Sequence, residues 1–172
     1  MKLTDEIRNL RGRKQMLRDR RLHDACHEAS HAVMALHHGH PFTIVLVGDE
    51  TVGGQRLRGR LMLASGRVYT DTAIPAAKVA LAGHCFNRIV NPHVNDAVLG
   101  LLGTMGDLRM AIDCVKFWAG GDDAQTEFII FKSIVPQVHK FLIENWETIL
   151  RIGTALAARG KLSYAEVKKL AA

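Results

Sequence analysis

The chain has 172 residues, 48% of them hydrophobic, and a mean hydropathy of +0.02. That composition excludes a disordered chain and fits one domain of ordinary size with a real core. Cys26, Cys85 and Cys114 are odd in number and far apart, which argues against a disulfide framework or a cysteine zinc site and for buried, reduced thiols. The net charge of +6 is concentrated: residues 1–21 carry eight basic and three acidic side chains, or +5 of the total.

In chain order, residues 2–20 are expected to form a charged helix with Leu3, Ile7, Leu10 and Leu17 near helical spacing. This basic N-terminal arm, 1–21, is set apart here from a domain over 22–172. It could meet an acidic partner, but it has no aromatic side chain to stack on bases, so nucleic acid is not the expected ligand. Residues 23–38 read as a second helix, rich in alanine and stopped by Gly39 and Pro41. Residues 42–47 and 55–63 read as two strands joined by a turn region. Residues 71–90 are expected to be a helix whose alanines and Gly83 pack closely against a neighbour. A helix over 107–118, a long one over 122–150 bent at Pro136, and a short last one over 162–170 complete the chain. Ser163 and Glu166 have capping-box spacing. Trp118, Phe128, Phe131 and Phe141 read as helix-packing residues. The expected fold class is α+β, mainly α-helical, with one small β-sheet. No apolar run approaches the roughly 20 residues a membrane helix needs, and no secretory signal is evident, so the expected location is cytoplasmic.

The chemistry rests on His27-Glu28-Ala29-Ser30-His31, an HExxH motif. On a helix, histidines four residues apart project from one face and can reach one ion. Zinc accepts imidazole nitrogen, and a catalytic site adds a third protein ligand and leaves a position for water. Glu28, beside the first ligand, is placed to act as general base. The third ligand must come from elsewhere. Candidates are His84, His93, Asp96, Asp107, Asp113 and His139, with Asp107 best placed at a loop-to-helix junction. An aspartate there is equally consistent with a helix cap. His37, His38 and His40 cluster at a helix end, where histidines commonly face the terminal carbonyls. Arg56, Arg58 and Arg60 lie on a strand that could pair with an extended peptide or simply guard an edge.

Several blocks resemble the peptidase domain of the FtsH family of zinc metallopeptidases. Residues 27–33 resemble its HEAGHA block, residues 41–47 and 52–55 its proline, strand and glycine turn, and residues 80–83 its glycine-containing helix. Residues 106–111 resemble the block that supplies its aspartate ligand, and residues 138–170 its last helices. The resemblance implies a helical, zincin-like fold, zinc held by His27, His31 and Asp107, and Glu28 as catalytic base. It also implies a homo-oligomer. Three departures stand out. Ser30 replaces a glycine, Asn87 and Arg88 stand where the family has an acidic pair, and no ATPase signature GxxxxGK[ST] occurs, so a separate ATPase would have to feed folded substrates.

Two functions are therefore expected in competition. One is a zinc endopeptidase acting on flexible or unfolded proteins or peptides without an ATPase of its own. The other is a non-catalytic binding or regulatory module acting through its basic arm. Under either function the arm is expected to be dispensable for the metal site and chemistry but not for the choice of partner.

Overall fold

The structure, a computed structural model, describes residues 10–52, 55–63, 70–92 and 105–172. Its elements in order are α1 (Arg13–Met16), α2 (Arg20–His37), β1 (Phe42–Val52), β2 (Gln55–Leu63), α3 (Ala73–Val90), α4 (Met105–Trp118) and α5 (Asp123–Phe128). A π-helical turn (Ile129–Ile134), α6 (Val135–Glu144), α7 (Trp146–Arg159), β3 (Lys161–Ser163) and α8 (Tyr164–Ala171) follow. The class is α+β and mainly helical, as the sequence led one to expect. Among the described residues no helix is long and apolar enough to cross a membrane.

The central element is α2. Asp19 caps it, its side chain accepting from the Leu22 N–H at 3.0 Å. At the other end Gly39 turns left-handed, with φ +67°, and the His40 N–H reaches back to the Ala35 carbonyl at 2.8 Å. That i-to-i−5 bond is the helix stop for which glycine is suited. Ser30, a poor helix former, is satisfied inside the helix by donating to the Cys26 carbonyl. Along α2, Leu22, Ala25, Cys26, Ala29, Ala32, Val33, Met34 and Ala35 are all buried. Small residues on this helix let its neighbours approach closely. On α7 an added Cβ at Gly153 would overlap the Cys26 sulfur and backbone. All three cysteines are free and buried, and burial pushes the Cys26 and Cys85 thiols up to about 12.

The N-terminal segment differs from the expected single helix set apart from the domain. Gly12 is left-handed, α1 is one turn long, and Met16 is buried to 2% exposure. The Trp146 indole N–H donates to the Arg11 carbonyl at 2.8 Å, and Arg13 Nε donates to the Ile89 carbonyl at 3.1 Å. Residues 11–16 are thus tied to α3 and α7. Residues 1–9 fall outside the described residues.

The sheet has the order β2-β1-β3 and is antiparallel throughout. Its third strand was not expected. Leu162 pairs with Val45 and is fully buried, so three residues between α7 and α8 are drawn into the sheet by one apolar anchor. Ser163 then caps α8 in the expected capping box with Glu166. The long helix expected over 122–150 with a bend at Pro136 is instead α5, the π-helical turn, α6 and the start of α7. Proline at 136 cannot donate to the carbonyl four residues back, and its ring crowds that turn. The backbone widens just before it, the Val135 N–H bonding the Ile130 carbonyl five residues behind. A second break falls at Asn145, which ends α6 and starts α7.

One packing expectation is overturned. Trp118, Phe128 and Phe131 are exposed, Phe128 to 65%, on the outer side of α4, α5 and the π-turn. Phe141 is half-buried and packs against the His37 ring at 4.6 Å between centroids.

Candidate metal centre

His27 and His31 sit one turn apart on α2, and Asp107 reaches them from the first turn of α4. Nε2 of His27 and Nε2 of His31 are 3.2 Å apart. Oδ2 of Asp107 is 3.2 Å from the first and 3.4 Å from the second. Nitrogen and oxygen ligands about 2.0–2.1 Å from a tetrahedral zinc lie about 3.3–3.5 Å from one another. The three atoms therefore have the mutual spacing of three corners of such a site. Among the described residues this is the group of histidine, cysteine and carboxylate side chains able to hold a metal ion.

The outer hydrogen bonds decide which atoms face inward, and α3 supplies both acceptors. Nδ1 of His31 donates to the Val79 carbonyl at 2.7 Å. Nδ1 of His27 lies 3.3 Å from Oδ1 of Asn87 and, carrying its proton there, donates to it. With both protons outside, both Nε2 atoms present lone pairs to Oδ2 of Asp107, which is buried and makes no hydrogen bond. Three acceptors at 3.2–3.4 Å repel one another unless protons or a cation lie between them, and a cation satisfies all three at once.

The inward-facing atoms of His27 and His31 stay uncovered because residue 83 has no side chain. A Cβ on Gly83 would overlap Cε1 and Nε2 of His27 and Nε2 of His31. Sequence periodicity marked this glycine as a helix-packing residue. What it packs against is the ligand pair itself.

The electrostatics follow from the same arrangement. For His31, burial opposes the charged form, but Asp107 and Glu28 outweigh it and raise the imidazole to about 9. For His27, burial again opposes, and the Asp107 contact and charge carry it above its ordinary value. Burial works against ionising Asp107 too, yet His31 and His27 hold it well below the usual carboxylate range. Glu28 is 8% exposed, and burial pushes its carboxyl above the ordinary range, with His27 and His31 pulling the other way. A bound cation would pull it down further.

The remaining candidates separate cleanly. His84 is on α3 but away from the ligand pair, where it faces His139 of α6. Burial, His84 and Arg88 hold His139 below its ordinary value. Asp113 is exposed on the outer side of α4, lining a cavity of about 460 Å³ with Arg109, Met110 and Phe117. His93 and Asp96 lie outside the described residues, as do the side chains of Arg56, Arg58 and Arg60. His37, His38 and His40 stack edge to face, with ring centroids 4.9 and 6.5 Å apart, and do not converge on a common point. Sequence reasoning missed Val79 and Asn87. The first acts through its backbone, which no motif can show. The second stood out only as a departure from an acidic pair.

No protein-family model matches the chain, and neither does any curated protein.

Proposed function

We propose that the chain is a zinc-dependent endopeptidase whose substrates are flexible or unfolded proteins and peptides. The observation that carries this reading is the spacing of the His27, His31 and Asp107 ligand atoms at 3.2–3.4 Å, with Glu28 adjoining the first of them on the same helix. His27, His31 and Asp107 would hold the ion, which when bound supplies a Lewis acid that brings the pKa of water near 7. Glu28 takes the proton of the attacking water on its carboxylate and returns it to the leaving amine nitrogen. Burial of Glu28 keeps bulk water from competing for that proton and places the carboxylate among the ligand charges. The edge strand β2 offers an extended peptide a backbone to pair with. Chains already unfolded fit such an edge without a motor. Folded ones would need a separate ATPase, and a homo-oligomer would shelter the site.

The test has two arms. Metal-free protein reloaded with zinc should take up close to one equivalent, and His27→Ala, His31→Ala and Asp107→Ala should each lose tight binding. Glu28→Gln should keep the zinc and the fold while cleavage of casein falls by about 10²–10⁴, the usual worth of a general base. A parent that binds zinc but cleaves nothing would favour the non-catalytic module. Parental cleavage by Glu28→Gln would point to another base.

A further inference from the structure

We propose that Asn87 is a positioning residue for the metal centre, holding the His27 proton on Nδ1 so that Nε2 faces Asp107 as a ligand. The inference rests on the metal-binding reading above and adds a residue to it. Asn87 is 1% exposed and lies on the face of α3 that carries Gly83 one turn earlier. Its Oδ1 is the acceptor for His27 Nδ1 at 3.3 Å, matching the Val79 carbonyl that accepts from His31 at 2.7 Å. One helix therefore sets the tautomer of both imidazoles, once through backbone and once through a side chain. Only the second can be altered by substitution.

The chemistry of the amide sharpens the inference. A carboxylate in the same place would accept the same proton and make the imidazole a stronger base and better ligand. It would also be a buried charge whenever the ion is absent. Asn87 accepts without charge, and its Nδ2 remains buried with no hydrogen-bond partner. That orphan donor is the cost of filling the position with an amide. The metal-free domain is spared a third buried carboxyl group beside Asp107 and Glu28, and the ion is held less tightly than a carboxylate partner would allow.

The experiment compares the parent with Asn87→Leu and Asn87→Asp. Cobalt(II) affinity is read by chelator competition, and the melting temperature of each metal-free protein is measured. Asn87→Leu should weaken cobalt binding about 10–100-fold, the usual worth of an outer hydrogen bond to a ligand. Asn87→Asp should tighten cobalt binding and lower the melting temperature of the metal-free protein. Nitrogen-15 NMR of the imidazoles of the metal-free parent, at a pH where His27 is neutral, should find its proton on Nδ1. This last measurement needs no metal and no activity, so it tests Asn87 even if the chain proves to bind no zinc. A His27 proton on Nε2, an Asn87→Leu variant binding cobalt as the parent does, or weaker binding by Asn87→Asp would each overturn the assignment.

Discussion

Gly83 and His27 touch across two helices with no room for a methyl group between them. The Cα of Gly83 on α3 faces Cε1 and Nε2 of His27 on α2, and a side chain there would enter the space shared with His31. The same absence that lets α2 and α3 close on each other also leaves the ligand atoms uncovered.

Gly83→Ala should therefore damage the metal centre more than the fold. Forcing a methyl into a packed interior costs about 1–3 kcal/mol. Here it can be relieved by swinging the imidazoles away from Asp107. The expected result is a folded protein with far weaker zinc affinity, measured by chelator competition. Parental affinity in the alanine variant would show that no ion sits beneath Gly83.

Met16 should behave as a core residue despite lying in the basic segment. It is 2% exposed, and its neighbours Arg11 and Arg13 anchor the chain to Trp146 and Ile89. Met16→Ala should cost about 2–5 kcal/mol, as other large-to-small core changes do. Removal of residues 1–20 should lower the melting temperature at least as much. A truncated protein melting with the parent would mean that this segment contributes nothing to the fold.

Gly153→Ala should strain the contact between α7 and α2, because the new Cβ meets the Cys26 backbone as well as its sulfur. Backbone cannot rotate aside as a side chain can, so the helices must separate. Denaturant unfolding should report a loss of about 1–3 kcal/mol. Zinc affinity should fall too, since Cys26 immediately precedes His27. A stability equal to the parent's would show that the two helices pack less tightly than this.

His38 should make the protein acid-sensitive. Burial, then the charges of His37, Lys78 and His40, hold its imidazole down at about 4. Gln137, Lys140 and Glu144 of α6 line the same small cavity, Lys140 lying 3.8 Å from Glu144. A histidine lowered on folding takes up its proton in the unfolded state first, near pH 6.5. The unfolded chain therefore binds more protons between about pH 6.5 and 4, and stability falls as the pH drops through that window. His38→Asn should flatten that part of the stability–pH curve. Parallel curves for parent and variant would show that His38 is not held neutral.

The candidate metal centre was partly legible in the sequence because part of it is local. His27 and His31 share a face for any helix of 3.6 residues per turn, and the alanine-rich run from residue 23 is stopped by Gly39, whereas the true start at Arg20, capped by Asp19, falls inside the first expected helix. From the residues alone Asp107 is the best placed candidate but equally consistent with a helix cap, and only the resemblance favours it as a ligand. Its distance from the histidines depends on how α4 crosses α3, and an aspartate in the first turn of a helix is ordinary for reasons unrelated to metal. The break at Asn145 and the strand at Leu162 were hidden for a related cause. Each is a compromise between helical propensity and where the rest of the core lies.

The sequence by itself determined the helical spacing of His27 and His31, the glycine stop of α2, the capping box of α8 and the reduced state of three buried thiols. These are set by interactions within one or two turns or by composition. Tertiary structure alone decided that Asp107 closes the group, that Val79 and Asn87 fix which imidazole nitrogens face inward, and that Gly83 leaves the space between them. It also decided that Met16, within the basic segment, belongs to the core. Each of these depends on contacts between residues tens of positions apart, whose distances are fixed only when α2, α3, α4 and α7 bury their apolar faces against one another.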